Sequence, residues 1–229
     1  MMTTKLIIFD CDGVLIDSEI VVCRLVSEAF TRLGYAITLD EGIRRFAGRP
    51  EPEMIEEIER DWGRWVPPEY FEEMKARVAE AYRTELRSVP GVVETLDRVR
   101  VPICVASSSA PEKLRLGLET AGLLRPFGGN LVSVSYVARG KPAPDVFLYA
   151  AGWMRTPIAD GLVVEDSIPG VTAARAAGLR VVGFCGGSHC PRGHADRLRQ
   201  AGAEHVLGRF DDLESIMPGA FDPGSPTSE

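Results

Sequence analysis

Short runs of β-branched and other apolar residues recur along this chain, separated by helix-like patterns. The runs cover 6–9, 103–106, 162–164 and 181–184, and each is too short for a helix. Between the last three we predict helices at 112–121, 145–154 and 169–177. Strands that alternate with helices form a parallel sheet covered on both faces, and the carboxyl ends of its strands form the binding edge. The sequence therefore predicts an α/β protein.

One long stretch interrupts this alternation with helical patterns and no convincing strand. A first helix is expected to begin at Ser18, whose hydroxyl suits an N-cap, and to end at Gly34. Further helices are expected at 51–63 and 68–85. We therefore predict a helical unit at 18–84 inserted into a core of 1–17 and 85–221, followed by a flexible tail at 222–229 rich in Pro, Gly and Ser.

Composition narrows the class of protein and its partners. The 229 residues suit one large domain or a domain with a smaller companion, and 45% hydrophobic with 26% charged residues is usual for a globular protein. A net charge of −7 disfavours binding to nucleic acid or to an anionic membrane. Five cysteines without CxxC spacing, no signal-like leader and no 18-residue apolar run predict a cytoplasmic protein.

Two acidic pairs follow two of the predicted strands. Asp10 and Asp12 come directly after the first strand, and Glu165 and Asp166 come after 162–164. Like charges this close repel one another, and a divalent cation or a phosphoryl group beside them relieves the repulsion. The first pair also fits a turn with an N-cap, and Asp166 or Ser167 can cap the next helix. Together the pairs predict a site for Mg²⁺, which prefers oxygen ligands.

A hydroxyl cluster and a lysine lie near the same predicted edge. Ser107, Ser108 and Ser109 follow the second strand and precede a helix, so hydroxyls and backbone amides there can bind an anion. Lys141 lies in Gly-Lys-Pro-Ala-Pro-Asp, where two prolines stiffen the backbone before a helix. Taken singly, these residues are better explained as a serine turn and an ordinary surface lysine.

The four motifs occur in the order acid pair, hydroxyl, lysine, acid pair, and here the chain resembles the haloacid dehalogenase superfamily of phosphohydrolases. The matching motifs are Asp10-Cys-Asp-Gly, Ser107, Lys141 and Glu165-Asp. Segments such as Asp-Gly-Val-Leu-Ile-Asp-Ser-Glu are similar to the β-phosphoglucomutase-like branch, which includes sugar-phosphate phosphatases. The resemblance implies a Rossmann-like parallel-sheet core with an inserted small α-helical cap at 18–84.

The resemblance also implies a role for each motif residue. Asp10 is expected to be the nucleophile that forms an aspartyl-phosphate, and Asp12 the general acid and base. Lys141 and Ser107 are expected to stabilise phosphoryl oxygens, with Ser108 and Ser109 as further substrate-binding groups. The expected Mg²⁺ ligands are Asp10, the Asp12 carbonyl, Asp166 and Glu165, the last either directly or through water. Because Asp12 supplies an acid, phosphoryl transfer is favoured over carbon–halogen cleavage.

The substrate is expected to be a small phosphomonoester, with a sugar or sugar-acid phosphate such as 6-phosphogluconate preferred. The mutase of the branch has a histidine and an arginine in its cap where this chain has Val22 and approximately Glu51. Arg49 can supply a cap cation instead, although it also fits an exposed surface arginine. Alternatives are a β-phosphoglucomutase-type phosphotransferase and a non-enzymatic phospho-acceptor module. A phosphonate-cleaving enzyme, which needs a cap lysine such as Lys75, is disfavoured.

A glycine-rich segment after the last predicted strand carries His189, Cys190 and His194. Zinc is one interpretation, but the spacing matches no usual ligand pattern and adjacent ligands do not easily meet one tetrahedral ion. A glycine-rich loop at the binding edge is the favoured interpretation, with contact between its side chains and the substrate left open.

Overall fold

The computed structural model describes residues 4–221, so the predicted flexible tail at 222–229 lies outside the described residues. The strands are β1 Leu6–Phe9, β2 Ile103–Ser107, β3 Leu131–Ser133, β4 Gly161–Glu165, β5 Arg180–Phe184 and β6 His205–Leu207. The helices are α1 Ser18–Leu33, α2 Leu39–Phe46, α3 Glu51–Trp62, α4 Glu69–Glu85, α5 Val92–Arg98, α6 Pro111–Thr120, α7 Leu124–Phe127, α8 Asp145–Trp153, α9 Ile168–Ala176, α10 His194–Ala201 and α11 Leu213–Ile216.

The strands form one parallel sheet in the order β3-β2-β1-β4-β5-β6. The predicted α/β class with a Rossmann-like parallel sheet is confirmed, and all four predicted strands are present. The sequence analysis missed β3 and β6, which have three residues each and are too short to give a pattern. The chain passes from β1 to β2 and β3 on one side of β1 and then crosses to β4 on the other side, so the strand order reverses at β1. A binding crevice forms outside the carboxyl ends of the strands at such a reversal.

Alternating side chains of the strands build two hydrophobic layers, one on each face of the sheet. Ile7 and Phe9 of β1 join one layer, and Leu6 and Ile8 join the other. All four are fully buried, as expected for a central strand covered by helices on both faces. Burial on both faces holds β1 rigidly, so the residues that follow it have a well-defined position.

The segment between β1 and α5 contains four helices with a hydrophobic cluster of their own. Phe30 of α1, Ile58 of α3 and Tyr70 of α4 are buried in this cluster. The predicted helices at 18–33, 51–63 and 68–85 are present within a residue, and Gly34 ends α1 in the left-handed conformation. The remaining helix, α2, was not predicted from the sequence. We refer to residues 18–84 as the cap.

The start of α1 differs from the prediction that Ser18 caps it. Asp17 occupies the N-cap position, and Ser18 is the first helical residue. The Ser18 hydroxyl donates instead to Asp12 Oδ1 at 2.6 Å, and Asp17 accepts from Ser188. A side chain that bonds to another segment is not available to the helix terminus, and this contact is invisible in the local sequence.

Two further observations concern the whole described chain. All five cysteines are free thiols. Across residues 4–221, we find no helix with both the length and the apolar character needed to cross a bilayer.

Candidate active site

Strand register brings the sequence motifs to one edge of the sheet. Phe9 is paired with Val105 of β2 on one side and with Val164 of β4 on the other. The residues that follow these partners therefore lie side by side where the strands end. Asp10 follows Phe9 and Glu165 follows Val164, so their carboxylates meet at the centre of this edge.

Lys141 joins these two carboxylates. Its Nζ donates to Asp10 Oδ1 at 2.6 Å and to Glu165 Oε2 at 2.7 Å. The Lys141 side chain is only 5% exposed, and its ammonium group also lies 5.0 Å from the centre of the Phe147 ring. Burial alone would lower the pKa of Lys141, but the two carboxylates outweigh burial and raise it. Lys141 is therefore a cation held between the two carboxylates.

Asp10, Glu165 and Asp166 form a buried acidic cluster. One oxygen from each can be chosen so that all three lie within 4.8 Å of one another. Burial raises the pKa of Asp10, and the charges of Glu165 and Asp166 raise it further despite Lys141. Oxygen donors crowded in this way fit a hard divalent cation, which would relieve their repulsion. The donor set is thus compatible with the predicted metal.

The contacts of Glu165 distinguish it from its neighbour. Glu165 Oε1 accepts from the Ser167 hydroxyl and backbone amide, and Oε2 accepts from Lys141. Both oxygens are therefore engaged within the protein. Ser167 also caps α9 by accepting from the Gly170 amide, which leaves Asp166 free of the capping role that the sequence allowed for it.

Asp12 is held by hydroxyl groups from three parts of the chain. Ser18 and Tyr82 donate to Asp12 Oδ1 at 2.6 and 3.1 Å, and Ser109 donates to Oδ2 at 2.7 Å. Lys113, which sequence reasoning missed, lies 3.7 Å from Oδ1. Burial would raise the pKa of Asp12, but Lys113 and the three hydroxyls outweigh it and lower the pKa. Asp12 is thus held as an oriented carboxylate.

The three serines after β2 occupy different environments. Ser107 is buried, and its Oγ accepts from the Ser109 amide at 3.0 Å. Ser108 and Ser109 line the cavity described below, whereas Ser107 is not among the described residues that line it. Ser107 therefore shapes the backbone of the turn, and the neighbouring serines face the open space.

A cavity of about 750 Å³ lies between the cap and the carboxyl edge of the sheet. From the core it is lined by Asp10, Asp12, Lys113, Lys141, Glu165 and Asp166. From the cap it is lined by Glu19, Val22, Arg49, Glu51, Lys75 and Tyr82, among others. The cavity therefore joins the acidic cluster to the candidate cap residues identified in the sequence.

Arg49 lies at the cap side of this cavity but already has acidic partners. Its guanidinium donates to Glu57 at 2.5 Å and lies 3.7 Å from Glu53. Nearby, Glu19 of α1 accepts from the Gly48 amide at 2.9 Å, and burial together with the charge of Asp12 raises the pKa of Glu19. A cation and a carboxylate of the cap thus face the same space.

The glycine-rich loop that follows β5, together with the start of α10, contacts Asp166 of the acidic cluster. His189 Nε2 lies 2.8 Å from Asp166 Oδ2, and His194 Nε2 lies 2.6 Å from the Asp166 carbonyl oxygen. Cys185 Sγ donates to the Leu207 carbonyl oxygen instead. Within residues 4–221, the acidic cluster is the one group of three or more His, Cys, Asp and Glu side chains close enough to share an ion. The loop therefore lies at the binding edge. This position agrees with the interpretation that the sequence favoured over a zinc site.

The fold and this edge define an enzyme with a Rossmann-like parallel sheet and a helical cap over a site of carboxylates and a lysine. Comparison with known families is consistent with this class: residues 7–184 match the family of haloacid dehalogenase-like hydrolases. The chain belongs to this family, as the sequence motifs predicted.

Individual relatives agree with the assignment. The chain is 28% identical over 190 residues to the 6-phosphogluconate phosphatase of Escherichia coli, covering 82% of this chain and 86% of the relative. A conserved haloacid dehalogenase-like protein of unknown function from Agrobacterium tumefaciens has a TM-score of 0.87 at 36% identity, covering 94% and 98% of the two chains. A putative β-phosphoglucomutase from Thermotoga maritima has a TM-score of 0.75 at 25% identity, covering 94% and 99%. The match to the family and to its phosphatases, such as the one from Escherichia coli, identifies the chain as a phosphatase of this family.

Proposed function

We propose that this enzyme is a Mg²⁺-dependent phosphatase that acts on a small phosphorylated metabolite through an aspartyl-phosphate at Asp10. The observation that carries the proposal is the position of the Asp10 carboxylate in the cavity. It lies 2.6 Å from the buried ammonium group of Lys141, beside Glu165 and Asp166, and it shares the cavity with the oriented carboxylate of Asp12.

The residues that would hold the metal are Asp10, Asp166 and the main-chain carbonyl of Asp12, with Glu165 acting directly or through water. The crowded oxygen donors of the acidic cluster support a cation at this position. When bound, Mg²⁺ would neutralise charge on the phosphate and on the nucleophile. Because both Glu165 oxygens already accept hydrogen bonds, its main contribution would be to fix Lys141.

In the first half of the reaction, an Asp10 carboxylate oxygen attacks phosphorus and the bond to the ester oxygen breaks. Asp12, a carboxylate in the free enzyme, would take up a proton as the substrate binds and then give that proton to the departing alkoxide. Lys141 stabilises the negative charge on the transferred phosphoryl group, and Ser107 with the amides of its turn supports the phosphate-binding backbone. The product of this half is the alcohol and phosphorylated Asp10.

In the second half, water attacks the same phosphorus. Asp12, now a carboxylate, takes a proton from that water, and the bond between phosphorus and Asp10 breaks to release phosphate. The hydroxyls of Ser18, Tyr82 and Ser109 would orient Asp12 in both halves. Since two of these donors belong to the cap, correct orientation of Asp12 depends on the cap lying over the core.

The substrate that we propose is a sugar or sugar-acid phosphate, with 6-phosphogluconate as the first candidate. The cavity volume of about 750 Å³ suits a small metabolite. Its cap side combines acidic and basic side chains, which suits a ligand with many hydroxyl groups. Lys113, Lys75 and Arg49 are cations that could meet a second anionic group such as a carboxylate. A curated relative that acts on 6-phosphogluconate supports the same choice.

Hydrolysis is preferred to mutase chemistry because of what lines the cavity. Val22 and Glu51 stand where the mutase of the branch is expected to have a histidine and an arginine, and both line the cavity. An apolar side chain and an anion are poorly suited to hold a bisphosphate that must be released and rebound.

The free thiols support a reducing, cytoplasmic location, and we propose no nucleic acid or membrane as partner.

The test is phosphate release from a panel of sugar, sugar-acid and other small phosphomonoesters. Release should require Mg²⁺, stop with a chelator and be lost in Asp10→Asn. Conversion of a hexose phosphate to its isomer without phosphate release would favour the mutase. A phosphorylated Asp10 that persists for minutes, with no turnover on the panel, would favour the phospho-acceptor module.

A further inference from the structure

The loop of residues 186–190 makes contacts that the proposed reaction does not use. It contains Gly-Gly-Ser-His-Cys and lies beside the acidic cluster. His189 is 4% exposed, although histidine is usually only partly buried. Its Nε2 lies 2.8 Å from Asp166 Oδ2, and its Nδ1 is buried without a hydrogen-bond partner. Burying a ring with an unpaired nitrogen is unfavourable. The hydrogen bond at Nε2 must therefore offset this cost.

The imidazole ring is enclosed by two glycines. A Cβ atom on Gly187 would lie 2.8 Å from both Cε1 and Nδ1 of His189. A Cβ atom on Gly13 would lie 2.7 Å from His189 Cε1 and would overlap Asp166 Oδ2. Both distances are below those that real Cβ atoms adopt, so only glycine at these positions leaves room for the ring and the carboxylate together.

A second histidine holds the same aspartate by its backbone. His194 Nδ1 lies 3.2 Å from an Arg197 nitrogen, and arginine can only donate, so Nδ1 accepts and the ring proton is on Nε2. That Nε2 then donates to the Asp166 carbonyl oxygen at 2.6 Å. His189 of the loop thus fixes the side chain of Asp166, and His194 at the start of α10 fixes its main chain.

The loop is also tied to the entrance of the cap. The Ser188 amide donates to Asp17 Oδ1 at 3.0 Å, and the Ser188 hydroxyl donates to Asp17 Oδ2. Asp17 is the residue immediately before α1. Ser188 and His189 are adjacent, so the same short loop contacts the start of the cap and the acidic cluster.

We infer that His189 is a positioning residue for the divalent cation: it donates from Nε2 to Asp166 Oδ2 and thereby presents the other Asp166 oxygen to the metal. The inference rests on the proposed metal site. A carboxylate that accepts at one oxygen can still offer the second one to a cation, and such outer hydrogen bonds typically change metal affinity by about 10–100-fold. His194 and the glycines at 13 and 187 complete the arrangement.

The experiment is a titration of metal-free protein with Mn²⁺ alone, with free Mn²⁺ measured by electron paramagnetic resonance. His189→Phe keeps a buried ring but removes the donor, and the Kd is expected to rise at least about 10-fold. His189→Gln places an amide nitrogen near the position of Nε2 and should restore the Kd to within about 3-fold of the wild type, a rescue expected only if the donor itself orients the ligand. His205→Gln, at an exposed histidine of β6, is the matched control and should leave the Kd unchanged.

His189→Asn covers the case in which the Phe variant does not fold. Its amide is too short to reach Asp166, so it should also lose affinity while keeping a polar side chain. Unchanged Mn²⁺ affinity in a folded His189→Phe or His189→Asn protein would overturn the inference. If the wild type binds no Mn²⁺, or if Asp166→Asn binds as well as the wild type, the proposed metal site itself fails and the inference fails with it.

Discussion

Lys141 and Asp10 are separated by 131 positions in the sequence, yet their side chains form a buried ion pair with Nζ 2.6 Å from Oδ1. The same ammonium group reaches Glu165 at 2.7 Å. One cation therefore balances part of the charge of two carboxylates that extend from neighbouring strands. This arrangement makes Lys141 both a stabilising residue and a member of the proposed reaction.

Replacing Lys141 tests both consequences. In Lys141→Ala, phosphate release should fall at least about 100-fold, because the charge that stabilises the transferred group is gone. The free energy of unfolding without metal should also fall by about 3–5 kcal/mol, because Asp10 and Glu165 lose their buried partner. Urea unfolding with a chelator and a phosphate-release assay measure the two effects.

Lys5→Ala is the matched control for that experiment. Lys5 pairs with Asp160 at 2.9 Å, but its side chain is 63% exposed. A surface pair of this kind contributes about 0–1 kcal/mol, so stability and activity should change little. Equal losses in the two variants would contradict the special role of the buried lysine.

Removing one of the three hydroxyl donors to Asp12 should have a limited effect. Tyr82→Phe deletes the donor 3.1 Å from Oδ1 while Ser18 and Ser109 remain bonded to the carboxylate. We expect a loss of about 1 kcal/mol in the free energy of unfolding and a smaller loss of kcat than in Asp12→Asn, for which about 100-fold or more is expected. Steady-state kinetics of both variants test this order, and an equal or larger loss in Tyr82→Phe would contradict it.

Two helical glycines, one beside the acidic cluster and one with open space around it, allow a matched test of the position of Glu165. A Cβ atom at Gly170 in α9 would overlap the Glu165 carboxylate, whereas one at Gly152 in α8 meets nothing within 4 Å. Gly170→Ala should therefore displace Glu165 and reduce phosphate release. Gly152→Ala should keep full activity and be neutral or stabilising by up to about 1 kcal/mol. Thermal unfolding and activity of both variants provide the comparison, and full activity of Gly170→Ala would show that the Glu165 position is not critical.

The stability of the cap should depend on pH through Glu57. Hydrogen bonds from Arg49, followed by those from Arg45, lower the pKa of Glu57 below its usual 4.5. A lowered folded-state pKa stabilises the protein above the unfolded-state pKa, and this contribution disappears as pH falls through the folded-state pKa. Glu57→Gln should therefore lose about 0.5–1 kcal/mol at pH 7, and its difference from the wild type should vanish in acid.

Urea unfolding of Glu57→Gln and the wild type at several pH values measures this difference. Glu80→Gln is the control, because Glu80 is 68% exposed and lies 3.5 Å from Arg83. It should behave like the wild type throughout. A Glu57→Gln difference that is independent of pH would show that the lost contribution is not ionic.

Elements with strong local patterns can be predicted from the amino-acid sequence alone. The buried apolar runs gave β1, β2, β4 and β5, and helical periodicity with Gly34 gave the bounds of α1. The acidic pairs, the serine turn and Lys141 could be identified because each follows a strand or lies in a distinctive proline-rich segment. Such features can be predicted because they depend only on residues a few positions apart in the sequence.

Contacts between distant side chains could not be predicted from the sequence, because they depend on the three-dimensional fold. Lys113 and Tyr82 reach Asp12 from segments 101 and 70 positions away. His189 reaches Asp166 from a glycine-rich loop that the sequence placed at the binding edge without indicating its partner. Ser18 likewise donates its hydroxyl to Asp12 and does not take the capping role in α1 that the local sequence had suggested. Such contacts depend on strand order and on how the cap packs over the core, and neither leaves a periodic signal in the chain. A hydroxyl or imidazole forms the hydrogen bond that the folded environment offers, so its partner becomes known only when distant segments are brought together.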